Sequence, residues 1–392
     1  MSKHLAILLA SVFAPFRIFA AAANEIERPS PDLAAGQLLA LHEQAQQKTY
    51  RSFISRIQMD TQGFLSHHNI LQPGHRRSRY VVEVRTDGRR HYWSEEFSGQ
   101  CYPTLAETTP AADPRIKWFL FDGRLYYTSG HEPMWRVNRA VQQRKAGQKL
   151  QALRNMLGVR ISDEVDPISP FTLLCQYKPG QDALSLPPGI GTLEFVPDNF
   201  LIPKLKTNAS ARLEPNLETI EGTKCYVVKA ALREIISQPK DMSYTNERVL
   251  RIHFSPDFDW NIVRFEETNT SRRVSERRYT MVTHSLVDKV RFEKINERWA
   301  PMEWQVTTQT RDLNSLFRQN TTNKVKRVQL LLNPDHEALG SFKPSFVKDG
   351  AAVRLEGLGN RYKTKTNLVW KANEAVDEDG KVALDLGTDM SK

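Results

Sequence analysis

The chain has only three cysteines, Cys101, Cys175 and Cys225, in 392 residues. They lie far apart, with no C-x-x-C and no zinc-ligand spacing, which excludes a disulfide-dense scaffold and a structural zinc site. One pair could bridge in an oxidising compartment; three buried small hydrophobes is the equal alternative. Catalytic signatures are also missing. There is no G-x-S-x-G elbow, no H-E-x-x-H and no phosphate-binding loop. Gly357-Leu358-Gly359 lacks the strand–glycine–helix setting of a dinucleotide site, and Gly189-Ile190-Gly191 follows two prolines and reads as a turn. His67, His68 and His75 come nearest to a metal cluster, but they sit in a polar stretch with no carboxylate at ligand spacing, so no metal and no cofactor is expected. Asp257 and Asp259 are accounted for by a turn.

Acidic residues are the scarcer sign, 45 against 55 basic ones, for a net charge of +10. Such an excess suits nucleic acid, anionic headgroups, an acidic partner or plain solubility. The N-terminus argues against the first. Lys3 precedes a short apolar run, Leu5 to Ala14; Pro15 and Arg17 interrupt it, and Ala20 to Ala23 offers small residues for cleavage. This is the pattern of a secretory signal peptide over residues 1–23. No Cys follows the run, so a lipid-modified N-terminus is not expected, and no later run is long and apolar enough to span a bilayer as a helix. The expectation is a periplasmic or otherwise exported protein, soluble after cleavage, with no nucleic-acid partner.

What the chain has in plenty is strand pattern. From Leu217 to Thr310 it reads strand, short polar turn, strand, with turns at Glu221-Gly222, Ser255 to Asp259 and Asn296-Glu297. Along Val249 to Phe254, Leu250, Ile252 and Phe254 face one way while Val249, Arg251 and His253 face the other. Upstream, Asp32 can cap a helix to about Gln47 with Leu38, Leu41 and Ala45 along one stripe. It runs into a strand, Tyr50 to Met59, with Arg51, Phe53, Ser55, Ile57 and Met59 on one face. A polar loop from Thr61 to His75 follows. Two hairpins then turn at Asp87-Gly88 and Asp122-Gly123, where type I′ turns are expected. Tyr80, Val82 and Val84 line one face of the first.

Met134 to Val159 reads as a helix with a basic exposed face, and Ser162 to Pro188 as a polar, proline-rich loop. Strands resume near Thr192 and continue to about Leu332, then a loop from Pro334 to Phe346 and short strands at Ala351 to Leu355 and Asn367 to Lys371. The fold class is mainly β: an incompletely closed, curled antiparallel barrel covered or plugged by a few helices. One domain spans 24–373, with an inserted helix and loop at about 134–188, and 374–392 is an acidic flexible tail. Tyr80, Tyr92, Trp93, Trp118, Phe121, Phe195, Phe265, Trp299 and Trp304 are the candidates to line an apolar cavity, or equally to form a packed core.

The helix-to-strand entry AQQKTYRSFISRIQM, the hairpins RYVVEVRTDGRRHYW and KWFLFDGRLYYT, and the runs IEGTKCYVVKA, LRIHFSPDFDWNIVRFEE and VRFEKINERWAPMEWQVT together carry a resemblance. In order of elements, from about Gln37 to Lys371, the chain resembles bacterial periplasmic LolA/LolB-like lipoprotein carriers and the related RseB/MucB-type lipid-sensing regulators. The resemblance implies a half barrel around a few helices, with an apolar interior that takes lipid acyl chains. The chain looks about twice as long as a minimal carrier of this type, and no ligand-gating residue is carried over. The leading expectation is therefore a non-enzymatic exported binding protein for an acyl chain or lipoprotein, with a basic surface for anionic membrane or an acidic envelope protein. A second is an interaction or regulatory module that docks through Arg139, Arg144 and Lys149. A third is an envelope hydrolase whose residues meet only in three dimensions.

Overall fold

The computed structural model describes residues 33–66, 74–100, 115–121, 126–129, 159–162, 201–236, 244–273, 280–315, 317–344, 347, 349–356, 368–372, 374–377 and 380. Helix α1 (Ala35–Thr49) leads into β1 (Phe53–Ser66), β2 (Gly74–Thr86), β3 (His91–Gln100), β4 (Arg115–Phe121), β5 (Tyr126–Ser129) and β6 (Val159–Ser162). A short helix, α2 (Leu201–Lys206), precedes β7 (Arg212–Leu213) and β8 (Glu218–Ile220). The second meander is β9 (Thr223–Ile236), β10 (Tyr244–Ser255), β11 (Asn261–Arg273), β12 (Thr280–Ile295), β13 (Arg298–Asp312) and β14 (Arg318–Leu332). Short strands β15 (Ala352–Glu356), β16 (Leu368–Lys371) and β17 (Glu374–Val376) follow.

The strands form one ribbon. Strands β9 to β14 pair in order; β14 pairs β1; β1 to β6 pair in order; β6 pairs β15, which continues through β16 to β17. Among the described residues only β6 with β15 is parallel. Strands β7 and β8 line the outer edge of β9. Among the described residues no pairing returns from β17 to that edge, so the sheet is curled but not closed into a barrel. The seam is β1 with β14, from Phe53 opposite Leu332 to Ser66 opposite Arg318. It turns two local meanders into one sheet.

Two turns have the geometry that strand twist favours. Glu221 and Gly222 sit at φ 48 and 85, Asn296 and Glu297 at φ 47 and 61. Positive φ at both central residues defines type I′. At Asp87-Gly88 the expected two-residue turn is corrected. Thr86 pairs with His91, leaving a four-residue loop in which only Gly88 has positive φ. Asp87 instead accepts, through Oδ1, the backbone N–H groups of Arg89 (2.9 Å) and Arg90 (2.7 Å), the side-chain mimicry that makes Asp a turn former. Asp122-Gly123 lies outside the described residues.

Other boundaries move for physical reasons. The expected polar loop 61–75 is mostly strand, because Thr61 to Leu65 and His75 to Ser78 pair with each other across β1 and β2. In place of strand, 201–206 is helical, with Ile202 and Leu205 three apart and turned toward the core. Val159 to Ser162 is not the end of an inserted helix but strand β6, held between β5 and β15. The acidic tail does not start at 374: Glu374–Val376 pairs with β16, and Ala375 and Val376 are buried.

The ribbon buries apolar residues on both faces, in two clusters. The larger holds α1 and α2 against β1–β3 and β9–β14, with Leu38, Leu39, Phe53, Ile57, Met59, Phe254 and Phe265 at its centre. We call its face of the sheet concave. The smaller lies on the opposite face of β3–β5, where Tyr92, Leu120 and Tyr127 meet Phe342, Val353, Leu368 and Trp370. Alternation along β3 explains both: Trp93 points to the first cluster and Tyr92 to the second.

Candidate functional site

The concave face can be followed across the sheet in rows of directly opposed residues. One row runs Val228, Ile252, Phe265, Val287, Val306, then Asn323 and Thr61. Two residues further along the strands, about 7 Å, the row is Ala230, Leu250, Glu267, Ser285, Thr308, Thr321. The next is Leu232, Arg248, Asn269, Thr283, Thr310, Gln319. Thus the first row is apolar from β9 to β13, and the two rows beyond it turn from apolar residues to charged, hydroxyl and amide groups, from β11 in the second row and from Arg248 of β10 in the third. Threonine suits such positions because its branched Cβ fits the pleated strand while its hydroxyl stays available. Thr283 and Thr310 hydroxyls lie 3.2 Å apart.

One ion pair is set into this face. Arg248 Nε donates to Glu267 Oε1 at 2.6 Å, and both side chains are less than a tenth exposed. Buried at this depth, each charge depends on the other. Asn323 is fully buried, and neither end of its amide has a partner. Thr61, opposite it across the seam and 5% exposed, has an unpartnered hydroxyl.

Helix α1 covers the apolar end. Its buried stripe is Ala35, Leu38, Leu39, His42, Gln46 and Thr49, rotated from the expected Leu38–Leu41–Ala45 line. The rotation follows from polar anchors. His42 Nδ1 lies 2.9 Å from the Trp260 carbonyl, and Gln46 Nε2 donates to Asn261 Oδ1 at 2.6 Å. Asn261 in turn donates to the carbonyls of Phe258 and Trp299. A carbonyl only accepts, so His42 carries its proton on Nδ1. Burial pushes its pKa down to about 4, the carbonyl and Glu43 opposing weakly. At the helix end, Arg327 donates to the Tyr50 hydroxyl at 3.0 Å.

The aromatic candidates whose side chains are described are not brought together. Tyr80, Trp93, Phe265 and Trp304 belong to the concave cluster, Tyr80 half-buried and the others buried. Tyr92 and Trp118 are corrected to the opposite face, Tyr92 beneath the Arg85 guanidinium at 4.5 Å. Trp299 is corrected to a third place, an edge contact with Phe258, which stacks on Phe292 at 4.4 Å. The side chain of Phe121 and all of Phe195 lie outside the described residues, as do Arg139, Arg144 and Lys149. His67 and His68 do too, while His75 is in β2.

Cys225 is a buried thiol that donates to the Thr223 carbonyl at 3.4 Å; Cys101 and Cys175 lie outside the described residues. Burial pushes the Cys225 pKa up to about 11, so it is protonated and a poor nucleophile at neutral pH. Nearby, buried His253 pairs with Glu218 at 3.0 Å, and Glu218 also accepts from Arg251. Burial alone would raise the Glu218 pKa; bonds from His253 and Arg251 outweigh it and hold the carboxyl below its usual range.

The polar part of the concave face has one signal in the sequence. The signal was present at Arg248, which falls in step with Leu250, Ile252 and Phe254 and so must point inward.

No family model matches the chain, and no curated protein matches it. Among solved structures, one likeness is to a lipovitellin chain described for its lipid–protein interactions, at 10% identity and TM-score 0.21; the match covers 72% of this chain and 26% of that one. A second is to an engineered protein described for asymmetric conductivity, at 8% identity and TM-score 0.19, covering 70% and 99%. A third is to a mutant of the Rh. blastica porin, at 6% identity and TM-score 0.19, also covering 70% and 99%. Scores this low carry no argument about this chain. Among the described residues no helix is long and apolar enough to cross a membrane, which says nothing of strands.

Proposed function

We propose that this is an exported, non-enzymatic binding protein that holds an apolar ligand, a lipid acyl chain or the acyl chains of a lipoprotein, against the concave face. The observation that carries the reading is the unclosed sheet with a continuous apolar row from Val228 to Val306, backed by Trp93 and Trp304. A closed barrel can fill its own interior; an unclosed one leaves its concave face to be covered by helices or by a ligand. Helix α1 is suited to share that face. Three of its six buried residues are polar, so it contributes less apolar burial than an aliphatic helix would and is held instead by the hydrogen bonds of His42 and Gln46, which a shift would have to exchange for others. Transfer between membranes, or sensing, would then be a matter of what reaches the open edges, and the LolA-like resemblance belongs to the same reading.

The test is native mass spectrometry of the protein purified from its exported compartment, followed by organic extraction. A reproducible lipid or acyl-peptide adduct is expected. A clean apo mass from protein that had met lipid throughout would refute the reading.

A further inference from the structure

We propose that the border at Asn323 and Thr61 is a headgroup site, selective for an uncharged head that both donates and accepts hydrogen bonds, such as an acylglycerol. The inference rests on the acyl-chain reading above and adds the chemistry of the head.

Asn323 presents an amide donor and an amide acceptor, both buried and both without a partner. Thr61 stands directly opposite across the seam, its hydroxyl likewise buried and unpartnered. Directly opposed residues on one face of an antiparallel pair have Cβ atoms about 5 Å apart, so one small head can reach both. On one side in the same row the neighbours are Val306 and Val287, a bed for a chain. The row beyond is Thr308 and Thr321. The site is therefore where an amphipathic molecule lying along the face would change from tail to head.

The charge of the head follows from the donors and acceptors it meets. The charges in the rows traced above, Glu267 three strands and Arg248 four strands from Asn323, are bonded to each other and neutralise one another, and Arg327, further along β14, donates to the Tyr50 hydroxyl. Neither member of the bonded pair is free to hold a carboxylate or a phosphate. A carboxylate, moreover, only accepts, and would leave Asn323 Oδ1 without a donor. An acylglycerol supplies an ester carbonyl for the Asn323 amide N–H and hydroxyls for Oδ1 and for Thr61. The same chemistry occurs free, as monoacylglycerol, and protein-borne, as an acylglyceryl group on a lipopeptide.

The experiment compares dissociation constants of 1-oleoylglycerol and of oleate at pH 8 for the delipidated full chain, with an acylglyceryl-cysteine peptide as a third probe. Wild type is expected to favour oleoylglycerol over oleate about tenfold, the effect of one well-made hydrogen bond. Thr61→Val, close in shape, and Asn323→Val should each bring the ratio toward one, and Thr61→Ser should keep it. Tighter binding of the peptide than of oleoylglycerol would identify the protein-borne source, and the reverse the free lipid; both support the site. If both lipids bind but the wild-type ratio is near one, or Thr61→Val leaves it unchanged, the headgroup site is overturned while the acyl-chain reading stands. If no probe binds, both fall.

Discussion

Removing the Arg248 guanidinium alone leaves the Glu267 carboxylate buried without its cation. Arg248→Met should therefore destabilise the fold by about 3–5 kcal/mol, and Arg248→Met with Glu267→Leu should recover most of that loss, because an apolar pair carries no desolvation penalty. Urea unfolding of the two variants checks this; equal losses would mean the pair is not coupled. His42 makes a prediction of opposite chemistry. Its folded pKa is about 4 and its unfolded value about 6.5, so between those values the unfolded chain binds a proton that the folded chain refuses. Stability is then constant above pH 6.5 and falls as pH drops toward 4, by about 3 kcal/mol from this residue. His91 is likewise pushed to about 4 by burial, and His253 and His336 are lowered. Unfolding free energy measured from pH 7 to 4 should slope downward, and His42→Gln should flatten part of the slope. The inward direction of Arg248 is legible in the alternation of its strand, but its pairing with Glu267 is not, and the role of His42 is not legible at all. His42 needed the Trp260 carbonyl, 218 positions away, to become a core residue.

At the scale of elements, the hairpins were the most legible part, because turn chemistry is local. Asn296-Glu297 illustrates how close that chemistry comes to ideal and where it stops. Both residues are left-handed, a conformation that costs a residue with a Cβ about 1–2 kcal/mol and glycine almost nothing. Glu297 is nine-tenths exposed, and its ion pair with Lys294 lies at the surface, where it contributes little. Glu297→Gly should therefore stabilise the β12–β13 hairpin, raising unfolding free energy by about 1 kcal/mol, as thermal and urea melts would show; a loss would mean the ion pair outweighs the backbone strain. The β1–β14 seam was not legible. Its register brings together strands some 265 positions apart by matching faces, with no turn to set it. For the same reason Tyr92 and Trp93 could be read as aromatic strand residues but not assigned to opposite cores. That assignment depends on what covers each face, and Phe342 and Trp370 arrive from the far end of the chain.

At the scale of the molecule, a long curled ribbon that never closes has a specific consequence for stability. Its strands are satisfied along their length by neighbours, yet the concave face is an apolar surface that its own chain covers with a helix half polar on its buried side. A ligand seated there acts as a piece of core and binds the folded state alone. Such a ligand stabilises by mass action, about 2.7 kcal/mol when its free concentration is a hundred times its dissociation constant. On the proposed acyl-chain reading, treating the purified protein with organic solvent or hydrophobic resin to remove lipid should lower the melting temperature. Returning an acyl ligand should restore it, by a few degrees for a chain of this size. The comparison that matters is between ligands of equal hydrophobicity and different shape. An extended oleoyl chain can follow the row from Val228 to Val306, whereas a bulky, branched detergent cannot and, by binding the unfolded chain instead, should lower the melting temperature. If both ligands leave the melt unchanged, the concave face is sealed by its own helices, and the curl of the sheet serves packing alone.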